Sequence, residues 1–293
     1  MSINPAFTRV TGYAPSEVIG RPLSDLLVGE ARAALSDTGR SGNEVGFGIA
    51  PLEAQLASKD GELIWTEMLA TPEHDANGAL LGYHRICRNI TERKQMEDQV
   101  RQLAFYDPLT QLANRRLLND RLEQAMTASK RSGRFGALLF LDLDNFKPLN
   151  DAYGHGVGDL LLREVADRLR SCVRQIDTVA RFGGDEFVVM LSALGTDRAA
   201  SVMQARAVAE KVRATLAQPY RLSFRHAERG DLRVDHQSAA SIGVALFFGH
   251  QAAQEDIVKW ADTAMYEAKQ AGRNRVCFHE PPFSSPPPAA EIT

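Results

Sequence analysis

A Gly-Gly step followed at once by two carboxylates, Gly183-Gly184-Asp185-Glu186-Phe187, lies between two runs dense in β-branched and aromatic residues. These are Thr178-Val179-Ala180-Arg181-Phe182 and Phe187-Val188-Val189-Met190-Leu191. The pattern predicts a β-hairpin, because glycine enters the backbone conformations of a tight turn without steric cost. Asp185 and Glu186 are then displayed at its tip. Upstream, the apolar run Ala137-Leu138-Leu139-Phe140-Leu141 ends in Asp142-Leu143-Asp144. A short continuous apolar run predicts a buried strand, and an aspartate at its end stands at the sheet edge, where ligands collect in α/β folds. Two strand-end carboxylates suit a divalent cation. Mg²⁺ prefers hard oxygen ligands and is usually held by one or two carboxylates together with substrate phosphates, so a nucleotide and phosphoryl or nucleotidyl transfer follow as the leading class. Taken singly, each motif has a structural reading too: Gly-Gly-Asp occurs in ordinary hairpin turns, and Asp-x-Asp caps helices and strand ends.

The company of these motifs decides between the readings. After Asp142 come Phe146-Lys147, Asn150-Asp151, Gly154-His155 and Gly158-Asp159, followed by an amphipathic stretch from Leu160 to Val173. Further blocks are Asp107-x-Leu109-Thr110-x-Leu112-x-Asn114-Arg115-Arg116, Ser241-Ile242-Gly243-Val244-Ala245 and Ala261-Asp262-x-Ala264-Met265-Tyr266-x-Ala268-Lys269-x-x-Gly272-Arg273-Asn274-Arg275-Val276. In this order the blocks resemble the GGDEF domain, the diguanylate cyclase family, over about residues 105 to 279.

The resemblance implies a cyclase-like, palm-like α/β (α+β) domain, a mixed sheet flanked by helices, that condenses two GTP into cyclic di-GMP. It implies Asp142, the backbone carbonyl of Leu143 and Asp185 as ligands of Mg²⁺, with Mn²⁺ an admissible substitute. Asp185, Glu186 and Lys147 are implied as catalytic, Asp185 as acceptor of the 3′-hydroxyl proton and Lys147 as the cation facing the phosphates. Asn150, His155, Asp159, Lys269 and Arg273 are implied as GTP-binding. Guanine offers an acceptor O6 and donors N1–H and N2–H₂, so an amide and a carboxylate can pair with it and would be left unpaired by adenine. The bland alternatives are a turn residue for Asn150, a helix N-cap for Asp159, a structural histidine for His155 and a solvated helix face for the basic pair. Arg174-Gln175-Ile176-Asp177 matches the family's Arg-x-x-Asp inhibitory product site, Arg174 and Asp177 suiting phosphate and guanine edge; the alternative is an ordinary salt bridge. Because one domain holds one GTP, the product requires a homodimer. A catalytically silent domain that binds GTP or cyclic di-GMP as a receptor or dimerisation module is the competing function.

Residues 1–91 are expected to form a smaller, partial PAS-like α/β sensory domain. Asn4-Pro5-Ala6-Phe7, Thr11-Gly12-Tyr13 and Glu17-Val18-Ile19-Gly20-Arg21-Pro22 resemble its helical middle. Three strand-like runs around Ala54-Gln55-Leu56-Ala57, Ile64-Trp65-Thr66-Glu67-Met68 and Leu81 to Thr91 follow, with turn signals at Asp60-Gly61 and Asn77-Gly78. A complete PAS domain has two strands ahead of the Asn-Pro-Ala-Phe segment, so the sheet is expected to be incomplete. No PAS cofactor can be assigned, and His74 and His84 stand alone. Residues 92–105 are expected to be a helical coiled-coil linker, with Met96, Val100 and Leu103 on one stripe. Residues 106–280 are expected to form the cyclase domain, Leu222 to Gln237 a surface loop extension, and 281–293 a proline-rich disordered tail.

Composition narrows the classes. A length of 293 residues with 44% hydrophobic content supports two globular units. A net charge of −3 with dispersed Lys and Arg gives no nucleic-acid footprint. Cys87, Cys172 and Cys277 are far apart, lack metal spacing and are expected to be buried small hydrophobes. No apolar stretch reaches membrane-spanning length and the N-terminus lacks the pattern of a signal peptide, so a cytoplasmic protein without a membrane segment is expected.

Overall fold

The computed structural model describes residues 3–32, 51–226 and 230–279. The chain divides into two compact units, Met1–Arg101 and Gln102–Thr293. In the first, helices α1 (Pro5–Thr11) and α2 (Pro15–Val18) precede a four-stranded antiparallel sheet. Its order is β1 (Leu27–Val28), β2 (Leu52–Ala57), β3 (Leu63–His74) and β4 (Leu80–Asn89). Asn4 caps α1 by accepting from the Ala6 amide at 2.8 Å, and Gly12 ends it in the left-handed conformation. The Asp60-Gly61 and Asn77-Gly78 signals fall on the two hairpin turns, the second organised by Asp75, whose carboxylate accepts from the amides of Asn77 and Ala79. Alternation on β3 turns Ile64, Thr66 and Met68 inward, and Val18, Leu26, Leu27, Ala54, Leu56 and Met68 form a small core.

Helix α3 (Thr91–Phe105) covers the expected linker and buries none of its residues. Beyond it, the second unit is a five-stranded mixed sheet in the order β11-β10-β5-β7-β6. The strands are β5 (Gly136–Asp144), β6 (Thr178–Gly183), β7 (Glu186–Leu191), β10 (Ala239–Phe247) and β11 (Val276–Phe278); β10 and β11 run parallel and the other pairs antiparallel. The helices are α4 (Arg115–Ser132), α5 (Phe146–Tyr153), α6 (His155–Cys172), α7 (Arg198–Leu216) and α8 (Gln254–Gln270).

The period of two along β5 explains why the sheet needs helices on both faces. Leu139, Leu141 and Leu143 pack toward α6 and α7, whereas Leu138 and Phe140 pack toward α4 and α8. Asp142 belongs to the second set by parity. Glu186 does too, since its β7 neighbours Val188 and Met190 pack on that side and it pairs with Asp142 across the ladder. Helix α8 can approach that face closely because β10 carries a glycine: a Cβ on Gly243 would stand 2.0 Å from the Ala261 carbonyl oxygen and 2.1 Å from the Met265 nitrogen.

Two expectations are corrected. The segment after α7 is not a loop: β8 (Tyr220–His226) and β9 (Gly230–His236) form a two-stranded hairpin, rooted by Tyr220 and Leu222 in the main core. Only Cys172 of the cysteines is buried; Cys87 is exposed on β4 and Cys277 half-buried. Residues 281–293 lie outside the described residues.

Candidate active site

Four elements bring the acidic cluster together. The β6–β7 hairpin turns on Gly184 and Asp185, one residue later than the Gly-Gly step suggests, with Gly184 at φ +50° and Glu186 already the first residue of β7. Asp185 and Glu186 are half-buried. The Leu143 amide donates to the Asp185 carbonyl at 3.3 Å, which brings the end of β5 beside the turn. From α8, the Lys269 ammonium reaches Oδ2 of Asp142 at 2.7 Å.

The electrostatics follow from this crowding. Burial pushes the Asp142 carboxyl up from its ordinary range; the hydrogen bond from Lys269 opposes this, and Asp185 adds to it. Glu186 is likewise pushed up, first by burial and then by Asp142, Asp262 and Asp185. A cluster of carboxylates that raise one another, balanced by one ammonium, has the electrostatic demand of a divalent cation. The donors are hard oxygens. Among the described residues no group of three or more Asp, Glu, His or Cys side chains is placed to hold a metal ion by itself. Asp142, Asp185 and the Leu143 carbonyl offer hard oxygens of the kind that Mg²⁺ takes together with water and substrate oxygens.

Asp144, one alternation beyond Asp142, holds the framework together. It is 4% exposed and accepts from the Ser241 hydroxyl at 2.8 Å and the Asn274 amide at 3.0 Å. The second of these bonds ties β5 to the turn carrying Arg273, whose φ is +62° and whose side chain is exposed.

Helices α5 and α6 meet at Gly154. Lys147 is exposed in the first turn of α5, and His155 is exposed as the first residue of α6. Asn150 lies within α5 and Asp159 within α6, so neither is the turn residue or N-cap that their sequence context allowed; the N-cap of α6 is Gly154. The Asn150 Oδ1 atom is buried with no hydrogen-bond partner, and a Cβ on Gly158 would lie 2.0 Å from it. An orphaned amide oxygen beside a bare glycine leaves hydrogen-bonding capacity for a ligand.

Arg174 and Asp177 lie apart from the acidic cluster, on the turn between α6 and β6. They do not form the salt bridge allowed by sequence. Asp177 accepts instead from the backbone amides of Arg174 at 3.0 Å and Ser192 at 3.1 Å. Both residues border a surface pocket of ≈ 290 Å³ together with Arg121 and Arg170.

The position of Asp262 beside Glu186 is not evident from the sequence motifs, although its seven-residue spacing from Lys269 places both on one face of α8. The mutual contacts of Asp107 and Arg181 likewise emerge only in the fold.

A mixed sheet carrying a strand-end aspartate beside an acidic hairpin turn is the architecture of GGDEF-type nucleotide cyclases. The chain belongs to this family: the profile described as "Diguanylate cyclase, GGDEF domain" matches residues 104–275, and a PAS domain profile matches residues 1–92. It is 49% identical over 179 residues to the bifunctional diguanylate cyclase/cyclic di-GMP phosphodiesterase MucR of Pseudomonas aeruginosa, covering 61% of this chain and 24% of MucR. It is 32% identical over 280 residues to the cyclic di-GMP phosphodiesterase PdeR of Escherichia coli, covering 92% of this chain and 38% of PdeR. The chain thus spans well under half the length of these relatives. Among solved structures, the coiled coil and GGDEF domain of DgcB from Caulobacter crescentus, in complex with c-di-GMP, superposes with a TM-score of 0.55 at 27% identity, covering 64% of this chain and 93% of that one. Among the described residues no helix is long and apolar enough to cross a membrane.

Proposed function

We propose that the protein is a diguanylate cyclase, joining two GTP into cyclic di-GMP with release of two pyrophosphates across a dimer of GGDEF domains. The observation that carries this reading is the convergence of Asp142, Asp185, Glu186 and Lys269 where the end of β5 meets the β6–β7 turn, within a chain of the cyclase family. When bound, Mg²⁺ supplies neutralisation of phosphate charge and activation of the attacking 3′-hydroxyl. Asp142, the Leu143 carbonyl and Asp185 hold it. Asp185 stands ready to accept the hydroxyl proton, and Glu186, the first residue of β7, adds a second carboxylate beside it. Lys147, Lys269 and Arg273 face the phosphates, while Asn150 and Asp159 select guanine and His155 lines the same pocket. Arg174 and Asp177 bind product and slow the enzyme. The exposed Met96, Val100 and Leu103 of α3 supply a dimerising stripe, and residues 1–91 deliver an input signal through it.

One observation favours a second reading, a silent domain that binds GTP or cyclic di-GMP: most of this chain aligns with PdeR, which is named for cyclic di-GMP hydrolysis. Incubation of the chain with Mg²⁺ and GTP, stripped of bound nucleotide and resolved by chromatography, separates the two. Cyclic di-GMP from the parent and none from Asp185→Ala establishes the cyclase. Retention of GTP or cyclic di-GMP without turnover establishes the receptor.

A further inference from the structure

Arg181, two residues ahead of the glycine pair, spends its whole guanidinium on two partners. Nε and Nη2 donate to the Gly184 carbonyl at 3.0 and 2.7 Å, and Nη1 donates to both carboxylate oxygens of Asp107 at 3.2 and 3.1 Å. Both side chains of the pair are less than a fifth exposed, so solvent screens them little. Asp107 is itself fixed, since its Oδ1 accepts from the Thr110 amide at 2.8 Å and hydroxyl at 2.7 Å, and its own amide donates to the Leu112 carbonyl.

The hairpin needs such a hold at this point. Its ladder slips between Arg181 and Gly183, and a bulge removes the regular bonds that would otherwise fix the turn. On the other side, the Asp185 backbone is held by one long 3.3 Å bond to Leu143. Charge-assisted bonds are about twice as strong as neutral ones, so the grip on Gly184 outweighs it.

We propose that Arg181 and Asp107 are positioning residues for the metal-ligand turn: Asp107 aims the guanidinium, and the guanidinium fixes the Gly184 carbonyl and hence the backbone from which Asp185 projects. The role rests on Asp185 being a metal ligand, as assigned under the proposed function. Lysine cannot replace Arg181, because it lacks the planar fork that reaches carbonyl and carboxylate together.

The test is Mn²⁺ affinity of the full chain by electron paramagnetic resonance, with a non-hydrolysable GTP analogue present. The comparison runs across the parent, Arg181→Met, Arg181→Lys and Asp107→Asn, each checked for folding by its urea midpoint. Loss of such outer support typically weakens metal binding about tenfold or more, and both Arg181 variants are expected to show it, with Asp107→Asn shifted in the same direction by less. Turnover falls through kcat with KM for GTP little changed, since Asn150 and Asp159 are untouched. A purely structural role would lower the urea midpoints and leave the Mn²⁺ affinity of the folded protein at the parent value, which overturns the proposal. A parent that binds no Mn²⁺ overturns the metal assignment and the positioning role together, so the two failures are told apart by the parent alone.

Discussion

At the scale of single residues, Gly158 is demanded by its neighbour and not by its own backbone. The space a methyl would need is taken by the Asn150 amide, at 2.0 Å from Oδ1 and 3.0 Å from Cγ. Gly158→Ala is expected to displace Asn150 and to cut the preference for GTP over ATP by about tenfold or more, measured by competitive nucleotide binding. An unchanged preference would remove Asn150 from the base-reading pair. Asp107 makes a second prediction. Burial works to raise its carboxyl, but the two bonds from Thr110 and then the charge of Arg181 outweigh it and hold the group below its ordinary value. A group depressed in the folded state contributes stability that is fully present above its unfolded value and lost as pH falls through the folded one. The urea midpoint of the parent should therefore fall more steeply on acidification through the carboxylate range than that of Asp107→Asn. Parallel pH profiles would contradict the pairing. The acidic residues and Asn150 were legible in the sequence because each sits in a compact motif. The Asp107–Arg181 pair was not, because 74 residues separate the partners and only strand pairing brings them together.

At the scale of elements, the strands were legible where their pattern was carried by apolar content: β5, β6 and β7 follow from runs of aliphatic, β-branched and aromatic residues. The β8–β9 hairpin was hidden by its charges, since Arg221, Arg233 and Asp235 interrupt the apolar alternation, while among the described residues Tyr220 and Leu222 enter the core. What holds that element is a side chain elsewhere. Arg168 of α6 donates to the carbonyls of Thr215, Gln218 and Pro219 and lies 3.6 Å above the Tyr220 ring. Burial in this setting pushes the Tyr220 phenol up to about 12. Because a hydrogen bond from a charged donor contributes about 1.5–3 kcal/mol, Arg168→Ala should lower unfolding stability by at least about 2 kcal/mol in urea titration. Mn²⁺ binding should survive in the folded fraction, since these Arg168 bonds go to its own helix, to the last turn of α7 and to the α7–β8 connection, away from the acidic cluster. A loss within a few tenths of a kcal/mol would show that the clamp is dispensable.

At the scale of the whole molecule, one helix joins the two units, and its apolar positions stand out in solvent: Met96, Val100 and Leu103 are 57%, 66% and 69% exposed. That stripe is readable from spacing alone, and the proposed dimer would cover it with a second copy of the chain. Val100→Asp with Leu103→Asp is expected to shift the protein to monomer in analytical ultracentrifugation and to abolish cyclic di-GMP formation, while leaving GTP binding to each domain intact. Turnover by a confirmed monomer would refute the two-site scheme. Within the second unit, the closeness of α8 to β10 has its own consequence. The helix rests on the sheet at Gly243 with no clearance for one further carbon, and Lys269 stands a single turn beyond Met265, which makes that contact. Any atom inserted beneath the helix would lift the lysine with it, so the tolerance of the Lys269–Asp142 pair is set by a residue that has no side chain.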